Sequence, residues 1–320
     1  MTQALLRTVD ISNATWFQGS RYSYPLRTED TGGRIAFVDI YKRRGTEPPP
    51  HIHHREHELF VVLNGSSEFQ VAGEISLCDV GSFAFLPRGI PHRFAVQNPW
   101  GHFNVIVAPS GFDEYLQPFS EAATHLGEPP VSTGPPDVAG MIARGAEFGI
   151  EFVPPGVDIA TVDHSQPDGL KPIVRQYNEG EILNVLGITI RVKLSAAESG
   201  GALSVFMSED PPRVGPPMHA HANEDETFLV IEGEYRVQIE DTIYQAKPGQ
   251  IAHFPRGVAH AYMNAGDSPG KLLIVTNPGG FEAFFRDVDA LCKHGMPSTD
   301  QLMPIAQRHG LDIVGPPIAV

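Results

Sequence analysis

Two tandem antiparallel β-barrels of the jelly-roll kind, each followed by a short helical appendage, are the all-β-dominated architecture this sequence predicts. Three observations carry that reading. First, the chain repeats itself: PHIHHREHELFVVLNG (50–65) returns as PMHAHANEDETFLVIEG (217–233), and Thr31-Gly32-Gly33 returns as Ser199-Gly200-Gly201. Second, apolar runs of strand length alternate with turn signals, the pattern of many short strands. Third, 32 glycines and 29 prolines in 320 residues suit tight turns better than a helical bundle. The length allows two domains, each able to bury its own core.

In chain order, residues 1–30 read as a lead-in with Tyr22–Leu26 as a candidate strand. After the Thr31-Gly32-Gly33 turn comes the strand Arg34–Lys42, then the proline-rich approach EPPPH, which keeps the chain extended. Glu58–Leu63 is a buried strand, turned at Asn64-Gly65-Ser66. Glu68–Val71, Ile75–Leu77, Ser82–Leu86 and Phe94–Val96 continue the meander, and the barrel ends near Ala108. A helical stretch (111–126), a surface loop (127–137) and a second helix (Asp137–Ala146) form the first appendage. The counterparts in the second half are the strand Ala202–Met207 and helices over 280–295 and Asp300–Arg308. The boundary falls between Pro154 and Pro167, which gives domains of 1–160 and 161–320.

The composition, 41% hydrophobic and 19% charged, is that of a globular chain. A net charge of −15 without a Lys/Arg run excludes nucleic acid and anionic membrane as partners. Only Cys78 and Cys292 are available for a disulfide, and they are not equivalent in the repeat, so a reducing, cytoplasmic setting is expected. The N-terminus has no signal-peptide core, and nowhere do ~18 consecutive apolar residues occur.

The chemistry-bearing residues recur in register. The first half supplies His51, His53, Glu58 and His92; the second supplies His219, His221, Glu226 and His260, each 168 positions after its counterpart. Residues two apart in a strand share a face, so each His-x-His pair can offer two imidazoles to one ion. Glu58 stands an odd number of positions from His53, so the intervening HREH, like ANED in the second half, must bend or bulge. Three neutral imidazoles and one carboxylate suit one divalent transition metal per domain (Fe, Mn, Ni, Co, Cu or Zn), with coordination positions left open.

Past the bend, the inner faces continue through Phe60, Val62, Phe94 and Val96 in the first half and Phe228, Val230, Tyr262 and Asn264 in the second. These eight are the candidate substrate-pocket lining, although Phe60, Phe94 and Phe228 read more readily as barrel core. On this reading the first pocket is the drier, and the better host for an aromatic substrate. His54, His57, His102 and His253 fall outside the register and read as loop or supporting residues.

With these motifs in place, the sequence resembles the cupin superfamily, whose signatures are G(x)5HxH(x)3–4E(x)6G and G(x)5PxG(x)2H(x)3N. The second half matches from His219 through Asn264, while the first has Val96 where the final asparagine is expected. Among two-domain cupins (bicupins) it is most similar to bacterial quercetin 2,3-dioxygenases, sharing the four-residue gap before the glutamate and an FExFFR-like helix start at Phe281–Arg286. The resemblance implies a double-stranded β-helix barrel in each half. It also implies a metal-dependent dioxygenase that opens a flavonol-like or other enolisable aromatic or diketone substrate with O2, releasing carbon monoxide. Glu58 and Glu226 would be the catalytic bases that take the enolic proton. The alternatives are a cupin isomerase, decarboxylase or biosynthetic tailoring enzyme on the same metal site, or a non-catalytic metal- or small-molecule-binding bicupin. No organic cofactor is implied, and a homodimer is compatible with the pattern.

Overall fold

The computed structural model describes residues 3–131, 134–163 and 168–319. Parts of the expected 127–137 loop and Pro154–Pro167 boundary therefore lie outside the described residues. The chain divides into two compact units, Val9–Asn178 and Glu179–Val320 with Met1–Thr8. The division at 178/179 falls later than the 160/161 position read from the sequence, and the first residues belong with the second half. The reason is strand pairing. Leu5–Arg7 adds to Ile251–Phe254 at the edge of a second-unit sheet, and Ile173–Arg175 adds to Phe83–Leu86 in the first. Each covers backbone donors and acceptors that an open sheet edge would leave unpaired.

Each unit is a pair of antiparallel sheets. Among the described residues, eight strands face five in the first and seven face five in the second. The long central strands are Ala36–Arg43, His57–Asn64 and Trp100–Ala108 in the first unit, and Ser204–Asp210, Asp225–Glu232 and Gly270–Asn277 in the second. The alternation in the sequence sets which side faces inward. Ser67, Phe69 and Val71 are buried while Glu68 and Gln70 are half-exposed, as a period of two requires. Phe83–Leu86 is buried throughout because another strand covers each edge and side chains cover both faces.

The appendages differ. The helix expected over 111–126 spans only Phe112–Leu116, followed by a 3₁₀ turn at Gln117–Phe119 and a two-residue strand at Glu121–Ala122. Pro118 explains the early stop, since it has no N–H to give to the preceding turn and its ring crowds the carbonyl there. The second appendage has no proline at that place, and Glu282–Cys292 is a helix of three turns. Both appendages then return as strands. Ile150–Phe152 lies along His51–His53, and Leu311–Pro317 lies along Pro217–His221. The helices are thereby tethered beside the histidine-bearing strands.

One close backbone approach helps fix the second unit. A Cβ added to Gly215 would stand 1.8 Å from the Tyr262 carbonyl oxygen. A backbone oxygen within a ladder cannot swing aside as a side chain could. Gly215→Ala is therefore expected to cost about 3 kcal/mol, at the upper end of ordinary overpacking, as a fall in the denaturant midpoint with unchanged slope.

Candidate metal centres

The sequence brings each four-residue set together from both sheets of its barrel. In the first unit His51 and His53 come from one short strand, and His92 lies directly opposite His51 on the antiparallel neighbour. Glu58 comes from the other sheet, on a strand that starts only after the bend at residues 54–56. The second unit repeats this, with His219 opposite His260 and Glu226 on the facing sheet. The odd spacing between the second histidine and the glutamate is thus spent on crossing from one sheet to the other. The turns before His92 and His260 use Gly89 and Gly257, both at φ 82°, where side chains with a Cβ are strained. Their N–H groups donate to the carbonyls of His53 (2.7 Å) and His221 (2.8 Å), tying each turn to the paired histidines.

In both sets, one ligand atom from each of the four residues lies within 4.8 Å of every other, and all eight residues are buried. Five of the six outward nitrogens are committed elsewhere by hydrogen bonds. Nδ1 of His51, His92, His219 and His260 donates to the carbonyls of Pro49 (2.9 Å), Ile90 (2.9 Å), Pro217 (2.8 Å) and Val258 (2.9 Å). This fixes the tautomer and leaves each Nε2 lone pair aimed at the centre. His53 Nδ1 is 3.0 Å from Glu56 Oε2, and His221 Nδ1 is 3.5 Å from Glu224 Oε2. Toward the centre, Nε2 of His53, His92 and His221 and Oε2 of Glu58 are buried without a hydrogen-bond partner. Orphaned buried polar atoms are costly. Three of them converging in the first centre, with a fourth in the matching place of the second, offer nitrogen and carboxylate donors that fit a divalent transition metal and fit nothing hydrophobic.

The electrostatics agree. Burial first, then the neighbouring imidazoles, push His51 and His219 down to about 3, so both are neutral and ready to donate a lone pair. Burial would also discharge His221, but Glu226 and Glu224 outweigh it and raise it to about 9. Burial works to raise Glu58, yet His92, whose Nε2 lies 3.2 Å away, and the charges of the histidines around it bring it down to about 2. Glu226 is likewise held below the usual carboxylate range, by His221 and His260 against burial. Its Oε2 is 2.8 Å from His260 Nε2 and 3.3 Å from His221 Nε2.

Glu56 and Glu224 were missed in the motif reading, although they stand in the same 168 register and precede the ligand glutamates by two. Both are buried; Glu56 orients His53 by a hydrogen bond, whereas Glu224 stands 3.5 Å from His221 Nδ1 and acts on it through charge. Glu56→Ala is expected to weaken metal binding at the first centre about 10- to 100-fold, with the second unchanged, as read by chelator competition. The four histidines outside the register stay outside the clusters. His54 is exposed beside Glu151 (2.8 Å), and His102 lies 2.6 Å from Asp39. His57 Nδ1 accepts from the Arg88 backbone N–H (3.3 Å), and His253 lies 2.8 Å from the Thr227 hydroxyl.

A cavity of about 510 Å³ opens on the second centre. His219, Glu226 and Tyr262 share its wall with Ile190 and Ile274 from the sheets and with Phe281, Phe284, Phe285, Leu302 and Met303 from the appendage helices. The first unit has a cavity of about 210 Å³ whose wall includes none of its four clustered residues. The larger apolar space thus belongs to the second centre, not to the first as expected. Of the eight residues expected to line pockets, Tyr262 is on the wall of these cavities. Phe60, Val62, Phe94 and Val96 pack in the first core, and Phe228 and Val230 in the second. The Asn264 amide is spent on the carbonyls of Asp210 (2.9 Å) and Ser268 (2.8 Å).

Comparison with known proteins places these centres. Residues 40–99 and 206–276 each match the Cupin domain family. The chain is 25% identical to quercetin 2,3-dioxygenase of Bacillus subtilis (strain 168) over 280 residues, 84% of this chain and 83% of that one. A germin-like protein of Brassica napus is 33% identical over 63 residues, 18% of this chain and 30% of its own. Among solved structures, oxalate decarboxylase of Lactobacillus farciminis superposes with a TM-score of 0.59 at 16% identity, over 95% of this chain and 97% of that one. A Bacillus subtilis oxalate decarboxylase superposes with a TM-score of 0.60 at 14% identity, over 98% and 90%, a likeness of fold. With both barrels matched and both clusters built alike, the chain carries two cupin domains in tandem and resembles bacterial quercetin 2,3-dioxygenase.

Proposed function

We propose that the second unit is the reacting centre of a metal-dependent dioxygenase acting on a flavonol-like or otherwise enolisable aromatic or diketone substrate. The observation that carries the reading is the apolar cavity of about 510 Å³ with Glu226 and His219 on its wall. That volume is within the range that encloses a molecule of drug size, and its few polar groups cluster where the reaction would occur. His219, His221, His260 and Glu226 would hold the ion, and His51, His53, His92 and Glu58 a second one. A bound divalent metal would acidify a coordinated enolic hydroxyl and supply the redox chemistry that dioxygen needs.

The chain's own residues do the rest. Glu226 is ionised and accepts the enolic proton on its carboxylate, as a base within hydrogen-bond reach of the hydroxyl. Glu226 Oε2 lies 2.8 Å from His260 Nε2 and 3.3 Å from His221 Nε2, and an ion shared by these atoms would hold the carboxylate in one orientation. Phe281 packs edge-on to His221, with ring centroids 4.5 Å apart, and Phe254 stacks on His260 at 4.1 Å. These contacts fix the imidazole planes and keep water from the reacting carbon. The similarity to a named quercetin 2,3-dioxygenase along 84% of the chain supports the same reading.

Oxygen uptake by purified, metal-loaded protein against flavonols and β-diketones tests it, with carbon monoxide release as the mark of flavonol ring opening. Substrate turnover without oxygen uptake would instead assign an isomerase, decarboxylase or tailoring reaction. Full metal occupancy with no turnover of either panel would sink the enzyme reading offered here.

A further inference from the structure

The first-unit cavity is a chemically altered copy of the second. Phe17, Gln18, Tyr22, Thr46, Pro48 and Pro49 on its wall stand 168 residues before Val185, Leu186, Ile190, Val214, Pro216 and Pro217 on the other. Three wall positions that are apolar in the second unit, Leu186, Ile190 and Val214, are thus Gln18, Tyr22 and Thr46 in the first.

A fourth change is larger. Lys42 stands at the register position of Asp210. Asp210 is buried and satisfied, accepting from the hydroxyls of Tyr235 (2.6 Å), Ser208 (2.8 Å) and Tyr262 (3.2 Å). Lys42 is also buried, 1% exposed, but it lies on the cavity wall. Among the described residues its one hydrogen-bond partner is the Tyr22 hydroxyl oxygen, at 3.1 Å. An ammonium carries three donors, so Lys42 has donors to spare. Tyr22 accepts from Lys42, and its own O–H finds no acceptor among the described residues. Burial pushes the Lys42 amine down to about 7 against the pull of Glu47, which marks a cation short of counter-charge. Apart from Gln18 and Thr46 the remaining wall is apolar, including Phe17, Met141 and Phe152.

We propose that this cavity binds a small aromatic carboxylate, a single ring bearing one carboxyl group. The carboxylate oxygens accept from Lys42 Nζ and the Tyr22 hydroxyl, and the ring lies among Phe17, Met141 and Phe152. Volume limits the ligand: an apolar cavity of about 150 Å³ accommodates benzene, so about 210 Å³ takes one substituted ring and excludes a polycyclic substrate. The site involves none of the clustered histidines, and the proposal stands whichever reaction the second unit performs.

Calorimetric titration of the full-length, metal-loaded protein with benzoate and with its neutral analogue benzamide tests this. Wild type should bind benzoate saturably, and benzamide at least about tenfold more weakly, as the loss of a charge-assisted hydrogen bond requires. Lys42→Met, which keeps the side-chain length without the charge, should lose at least about tenfold in benzoate affinity. Met141→Trp, which fills the cavity from its helix and leaves Lys42 in place, should abolish binding and serves as the test should the lysine variant fail to fold. Benzoate heats that are absent in wild type, or unchanged in the variants, would overturn the assignment. Carboxylate bound at a metal centre would give that second result.

Discussion

Glu226→Gln is expected to lower kcat for flavonol turnover by about 10²- to 10⁴-fold, the range for losing a positioned general base. The substitution keeps the shape of the side chain and one oxygen for the ion, but an amide cannot take a proton. KM should change little, because the cavity wall built by Ile190, Ile274, Phe281 and Leu302 is untouched. The rate must be expressed per bound metal ion, with the metal measured in the same sample, so that loss of the base is separated from loss of the ion. Glu58→Gln provides the contrast. The first-unit cavity does not reach Glu58, so turnover should stay within about twofold of wild type, the scatter expected of a residue without a share in the transition state. Equal losses in the two variants would mean that both centres react; undiminished turnover in Glu226→Gln would remove the carboxylate from the chemistry.

The difference between the centres shows what a sequence can and cannot carry. The two clusters were legible because metal binding restricts residue type so strongly, and because each of the four residues recurs at the same offset. The sheet crossing was legible from one parity argument, the odd spacing between His53 and Glu58. The cavity was not. Its wall combines strand residues with Phe281, Phe284, Leu302 and Met303, which reach it only because Leu311–Pro317 returns to pair beside His219 and His221. No local periodicity encodes that long-range pairing. Counting onward from His92 placed Phe94 and Val96 on the inner face, which is correct, but an inner face can be filled. The rings of Phe94, Phe60 and Phe69 lie 5.0 to 5.9 Å apart and fill it. Asn264 misled in the opposite direction: its amide holds a turn by backbone carbonyls and has no donor left for a substrate.

Removing the metal should produce the largest change in stability, and its pH dependence follows from the histidines. A ligand that binds only the folded chain stabilises it by about 4 kcal/mol when its free concentration is a thousand times Kd. In a unit of this size each kcal/mol moves the melting temperature by roughly 2–4 °C. Without an ion, the acid groups around His221 draw a proton onto it, raising it to about 9. That raised value stabilises the metal-free fold fully below the ordinary histidine value near 6.5, and the contribution is lost as pH rises through about 9. The ion needs the same nitrogen unprotonated, so cation and proton compete for it. The gap in melting temperature between metal-loaded and metal-free protein is therefore expected to widen from pH 6.5 to 9, with roughly one proton released per ion bound at the second centre near neutral pH. His219, held down to about 3, acts in the other direction. Its contribution is present above pH 6.5 and fades as pH falls toward 3, where the unfolded chain takes up the proton that the fold refuses. Melting curves at three pH values, with proton release read from calorimetry in buffers of different ionisation heat, separate the two effects. A gap that narrows between pH 6.5 and 9 would show that the ion is not held by His221, and His260→Ala, expected to lose one ion of two, would then identify which histidines hold it.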